Sequence, residues 1–180
     1  REIAEQLGFC NARKHDSQDI CFVPNGDYVK FMEQYTGKQY PAGAFLDLEG
    51  QTVGRHCGAV RYTLGQRKGL GLAMGEPVYV CGKNVAANTV TVGPENALYS
   101  SMLLAEDMNW ISIPQLKQPM RVKAKTRYRQ AEQWAAVYPE QHGRVRLEFD
   151  APQRAVTVGQ AVVLYDGDVV VGGGTICQAP

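Results

Sequence analysis

Hydrophobic positions change period along this chain, and the change divides it. Ile3, Ala4 and Leu7 recur at helical spacing, with Gly8 placed to stop the helix. After the turn residues Pro24, Asn25, Gly26 and Asp27, the run Tyr28, Val29, Phe31, Met32 and Tyr35 predicts a second short amphipathic helix ending at Thr36-Gly37. From residue 44 the period falls to two. Segments 44–48 and 51–55 flank Glu49-Gly50 as a hairpin. Beyond Glu76 short β-rich runs recur between turns, at 78–81, 89–92, 120–128, 133–138, 144–149, 161–165 and 169–176, with Asp166-Gly167 joining the last two. The pattern predicts a mainly β chain with a small α+β segment. A leading segment spans 1–22, a small mixed α/β central domain 23–75, and a six-stranded antiparallel β-barrel 76–180. Gly172-Gly173-Gly174 lies inside the last strand and predicts a bulge or a close backbone approach rather than a catalytic loop.

Composition narrows the function classes. The 180 residues carry 19 basic and 18 acidic side chains, a formal charge of +1, so no global field attracts nucleic acid and any basic surface is local. Five cysteines, at 10, 21, 57, 81 and 177, are odd in number and scattered, which suggests a reducing cytoplasm rather than a disulfide framework. No C-x-x-C pair occurs, and His56-Cys57 are adjacent rather than spaced as ligands, so no metal is expected. No stretch reads as a signal peptide, and no apolar run approaches the roughly 20 residues of a membrane span.

One local basic surface stands out. Arg121, Lys123, Lys125, Arg127 and Arg129 fall on alternate positions with no acid between them. In a continuous strand they share one face, about 6.7 Å apart over roughly 27 Å, with Val122, Ala124 and Thr126 facing inward. A polyanion along the strand would relieve their repulsion; acids on a neighbouring strand, such as Glu148 and Asp150, would do the same. The loop Gly65–Gly71 has glycines that admit close backbone approach, and Gln66, Arg67 and Lys68 offer donors to a phosphate or base edge. It reads equally as a tight turn with solvated cations. His56 alone reads as a structural histidine. Finally, residues 14–22 gather polar groups around a thiol. Ile20 and Phe22 alternate with Cys21, turning the sulfur away from them in extended chain. Lys14 and His15 favour the reactive thiolate and Asp16 and Asp19 oppose it, so a nucleophile and a small buried thiol both stand.

Three stretches together resemble a known family. Lys14-x-Asp16-Ser17-x-x-Ile20-Cys21-Phe22 is similar to the second-cysteine motif of the bacterial tRNA-specific 2-thiouridylases. Gly54-Arg55-His56-x-Gly58 with Tyr62-Thr63-Leu64-Gly65-Gln66-Arg67-Lys68-Gly69-Leu70-Gly71 is similar to that family's central signature. Val158-Gly159-Gln160, Tyr165-Asp166-Gly167-Asp168 and Gly172-Gly173-Gly174-Thr175-Ile176 are similar to its closing segment. The resemblance implies sulfur transfer to carbon 2 of the wobble uridine. Cys21 would be catalytic and carry the sulfur as a persulfide, with Lys14, Asp16 and Ser17 close by. It implies tRNA contacts at Arg127, Tyr128 and Gln160, extended by the basic surface to Arg121, Lys123, Lys125, Gln66, Arg67 and Lys68. It implies ATP, bound by an N-terminal pyrophosphatase domain whose Ser-Gly-Gly-x-Asp-Ser signature this sequence does not contain. Residues 1–22 would then be the tail of that domain, and the chain an inactive part of a longer, monomeric enzyme served by a sulfur-relay donor protein. The resolving cysteine would lie in that domain; Cys10 is not nominated. Two alternatives remain: a non-catalytic RNA-binding module, and a fragment of an RNA methyltransferase.

Overall fold

Alternation of apolar and polar side chains along short segments commits most of this chain to sheet. The computed structural model describes residues 2–10, 12, 13, 23 and 27–179. Contacts group the chain into two units, Arg1–Pro41 and Ala42–Pro180.

In the first unit, α1 (Glu2–Gln6) ends as expected at Gly8, whose φ of 73° is left-handed. Helix α2 (Tyr28–Thr36) starts where Asp27 caps it, its carboxylate accepting from the Lys30 N–H at 3.1 Å. Gly37, at φ 68°, closes it by donating to the Glu33 carbonyl.

The second unit holds two sheets. A four-stranded sheet runs in the order β2-β1-β4-β3, formed by β1 (Gly43–Leu46), β2 (Thr52–His56), β3 (Tyr79–Asn84) and β4 (Thr89–Gly93). The β1–β2 hairpin forms as expected: Asp47 accepts from the backbone of Glu49 and Gln51, and Gly50 takes φ 82°. β1 also pairs in parallel with β4, so the sheet is mixed. Its core is Phe45, Ala59, Tyr62, Leu70, Val80, Val90 and Val92.

Six further strands close a barrel in the order β10-β5-β8-β7-β6-β9. They are β5 (Tyr99–Trp110), β6 (Met120–Lys125), β7 (Gln133–Pro139), β8 (Val145–Arg154), β9 (Ala161–Asp166) and β10 (Val169–Gln178). Leu103, Leu147, Leu164 and Ile176 fill it with smaller aliphatics. The mainly β architecture with a six-stranded antiparallel barrel is as the pattern predicts. Its start is not. Segments 78–81 and 89–92 become β3 and β4, which pair with each other and, through β4, with β1, so the barrel begins with β5 near residue 99 rather than at 76. The glycine run behaves as expected: register slips on both flanks, and a Cβ on Gly172 would stand 2.6 Å from the Asn109 carbonyl.

Candidate nucleic-acid interface

The basic strand is shorter than its alternation predicts. β6 ends at Lys125, and 126–130 fold into a turn closed by the Gln130 N–H on the Arg127 carbonyl. Thr126 remains buried, as do Val122 and Ala124, but Arg127 and Arg129 leave the row. The turn wins because its polar side chains find partners inside the barrel mouth. Thr126 Oγ1 donates to Gln130 Oε1 (2.8 Å), Gln130 Nε2 to Gln153 Oε1 (2.5 Å), and Gln153 Nε2 to the Ala151 carbonyl (2.5 Å). Thr126, Gln130 and Gln153 satisfy one another in this way, so the turn is held by a connected polar chain.

The three cations left on β6 are largely answered by their neighbours. Arg121 forms a two-pronged pair with Asp150, which holds that carboxyl below the usual carboxylate range. Lys123 Nζ donates to Glu132 at 2.8 Å. Both cations also lie 5.5 Å from the Trp134 ring centroid, and Lys125 lies 5.9 Å from that of Tyr165. Asp150 therefore acts as the neighbouring acid that the sequence allowed for, while Glu148 pairs with Arg146 instead.

The turn itself offers more. Tyr128 is 95% exposed, with Arg127 and Arg129 exposed beside it. Arg127 Nη2 reaches across to the next loop, donating to the Ala155 carbonyl (2.8 Å) and Thr157 Oγ1 (3.1 Å). Thr157 in turn accepts, through its carbonyl, the backbone N–H of exposed Gln160. The structure thus joins Arg127, Tyr128 and Gln160, expected to act together, through two adjoining loops. The end of the strand at Lys125 frees Tyr128 from facing opposite to Arg127.

Sequence reasoning missed the brace. Ala155 sits at φ 53°, a left-handed conformation unfavourable for a residue with a Cβ. It is fixed by its own N–H on the Leu98 carbonyl (2.7 Å) and by Arg127 on its carbonyl. No local pattern marks an alanine for that conformation.

In the glycine-dense loop, Gly65, Gly69 and Gly71 all take positive φ, which supports the turn alternative. Gln66 bonds inside it: Oε1 accepts from the Thr63 N–H and Nε2 donates to the Lys68 carbonyl, each at 3.0 Å. One of its two amide N–H bonds is thus committed within the loop, which leaves the other for the expected contact with RNA. Arg67 and Lys68 stay exposed, with no ion pair among the described residues. His56 is buried in a ring cluster with Phe45 and Tyr62, its Nδ1 accepting from the Gly58 N–H at 3.0 Å. Burial lowers its pKa, opposed by the nearby Asn88 backbone, so the neutral ring is favoured.

Lys14, Asp16, Ser17 and Cys21 lie outside the described residues. Cys10, Cys57, Cys81 and Cys177 are free thiols. No three His, Cys, Asp or Glu side chains converge among the described residues. No described helix is long and apolar enough to cross a membrane. Among the described residues, the glycines of 65–71 do not open a helix whose N-terminus would hold phosphates.

Comparison with known proteins agrees with the two sheets. Residues 29–94 match a family model described as a tRNA methyl transferase PRC-barrel domain, and residues 100–176 one described as an aminomethyltransferase beta-barrel domain. A tRNA-specific 2-thiouridylase MnmA of Acetivibrio thermocellus is 54% identical over 98% of this chain and 49% of its own length. That of Heliobacterium modesticaldum is 52% identical over 99% of this chain and 47% of its own, and that of Halothermothrix orenii 47% identical over 98% and 49%. The chain thus spans about half the length of the curated relatives it matches. By fold and by identity along nearly its whole length, it belongs to the tRNA-specific 2-thiouridylase family.

Proposed function

We propose that this chain supplies the tRNA-gripping part of an enzyme that exchanges the carbon-2 oxygen of a wobble uridine for sulfur. The observation that carries the reading is the coupled pair of loops at the barrel mouth. There Tyr128 stands free to stack, while Arg127 and the Gln160 loop are fixed beside it. Exposed aromatics with flanking cations suit unpaired RNA bases, which side chains read by stacking. Arg67 and Lys68, together with Lys125, would add phosphate contacts; Arg121 and Lys123 would first have to give up Asp150 and Glu132.

Cys21 is proposed as the sulfur carrier. A persulfide on it, supplied by a sulfur-relay protein, attacks carbon 2 through its outer sulfur. A C–S bond forms and the activated oxygen leaves. A second thiol then attacks the Cys21 sulfur, making a disulfide and releasing the thiolated base. That thiol, and the use of ATP, we assign to the length of the relatives that this chain does not span. The same remaining length is where the complete enzyme would gain its activity, in the reducing cytoplasm that its unpaired cysteines suit.

The test is Cys21→Ser in the full-length enzyme. Thiolated uridine should be lost while tRNA affinity is unchanged; thiolation at the unmodified rate would refute the assignment. The exposed Tyr128 turn, which needs no chemistry to hold RNA, serves equally in one second reading, an RNA-binding module without chemistry. It predicts that Cys21 gains no persulfide when the enzyme is incubated with a sulfur donor.

A further inference from the structure

The loop braced by Arg127 is also one wall of a groove at the junction of the four-stranded sheet and the barrel. Val156, Thr157, Val158 and Gln160 form that wall. Thr63, Leu64, Cys81 and Lys83 face it, with Leu98 and Ser100 between. The groove encloses about 670 Å³, within the range of sites that bury a small organic ligand. Its chemistry is divided in a telling way. The valines and leucines offer a flat apolar wall, while Gln160 carries an amide with no side-chain hydrogen bond among the described residues. Lys83 brings a cation to the rim; its Nζ donates to the Tyr62 carbonyl at 3.1 Å, using one of three N–H bonds. No Asp or Glu lines the groove.

An apolar face, an amide for a base edge and an unopposed ammonium together describe a nucleotide. We propose that this groove receives one unpaired nucleotide of the bound RNA, with its phosphate at Lys83 and its base edge at Gln160. The proposal rests on the tRNA reading above and adds an element to it: a nucleotide held between sheet and barrel, beyond those stacked on the exposed turn. A base within a duplex is excluded, because its faces are stacked and its edge is paired. The occupant belongs to the polymer rather than to a free nucleotide because the wall of the groove hangs on Arg127, whose own loop carries Tyr128 and Arg129 into solvent.

The native cysteines provide the test. Cys81 lines the groove, and Cys57 is exposed away from it. Burial raises the Cys81 pKa, so labelling is followed in alkaline buffer. The 180-residue chain is alkylated with iodoacetamide, and modification at each cysteine is read by mass spectrometry. Parallel samples hold an anticodon stem-loop RNA, a fully paired RNA of equal length, or uridine monophosphate. With the stem-loop at about ten times its Kd, Cys81 labelling should slow about ten-fold, with Cys57 unchanged. The duplex and the mononucleotide should not protect. Lys83→Gln should weaken stem-loop binding and lower the salt slope by about one unit, while Gln160→Ala should weaken binding with the slope intact. If the stem-loop binds in a gel shift but Cys81 labels at its free rate, the groove proposal fails alone. Equal protection by uridine monophosphate would make the groove a mononucleotide site and also overturn it. If no RNA binds, the tRNA reading falls with it.

Discussion

Arg127 spends one nitrogen, Nη2, on the protein itself. Both of that nitrogen's hydrogens go to the 155–157 segment, so its first task is to hold the Gln160 loop. A lysine keeps the charge but cannot reproduce a planar donor pair. Arg127→Lys should therefore lower tRNA affinity several-fold with the salt slope unchanged, and Thr157→Val, which removes one of the two acceptors, should lower it less. Unaltered binding by the lysine variant would mean that the brace is idle. His56 makes a second prediction. Its folded-state pKa is lowered by burial from the ordinary 6.5, so the unfolded chain takes up protons first as pH falls. The stability this group contributes is complete above about pH 6.5 and is lost as pH drops from there through its depressed folded value. His56→Gln should flatten that loss in a series of thermal midpoints, measured against the unsubstituted chain. An identical slope in both would exclude His56 as its source. Both roles were only half legible in the sequence. A lone histidine suggested structure without naming its neighbours, and an arginine in an alternating row gave no sign that its partner was a carbonyl 28 residues away.

Strands showed themselves where their period was unbroken. β7 and β9 keep clean alternation and were evident, as was the β1–β2 hairpin. β5, the longest strand, gave no such signal. Its register slips between Ser100 and Met102, and again opposite Gly173–Thr175 of β10, so its buried side chains do not follow one period of two. Asp107 at φ 52° interrupts it further. The sheet to which 78–92 belong was hidden for a different reason: parallel pairing with β1 is a long-range choice that leaves no local mark. The glycines of β10 were read correctly, and they support a prediction. A Cβ on Gly173 would stand 2.9 Å from the Val162 carbonyl, backbone that cannot rotate away. Gly173→Ala should cost roughly 1–3 kcal/mol in urea unfolding, as overpacking does. An unchanged midpoint would show that β9 yields at no cost.

The two sheets of Ala42–Pro180 have separate cores, yet several bonds cross between them. Ala155 donates to Leu98 at the sheet's exit, and Arg154 from β8 reaches both Glu95 (3.3 Å) and the Tyr79 ring (5.5 Å to its centroid). A Cβ at Gly65 would stand 3.2 Å from that of Ala155, so the Gly65 backbone packs closely against the Ala155 methyl and the Arg154 side chain. Exposed ion pairs contribute little by themselves; close packing with a buried-backbone hydrogen bond is what couples neighbouring modules. If the coupling holds, sheet and barrel unfold as one. Both tryptophans, Trp110 and Trp134, sit on barrel strands and report only on the barrel. Phe45 lies in the other core, fully buried between His56 and Tyr62, and Phe45→Ala should cost about 3–5 kcal/mol there. In one cooperative unit that loss must appear in tryptophan fluorescence as an earlier denaturant midpoint with an unchanged slope. A tryptophan transition left in place would mean that the barrel stands alone. The groove between them would then be a flexible seam rather than a fixed site, and RNA contacts at Lys83 and Gln160 could not be held in register with each other.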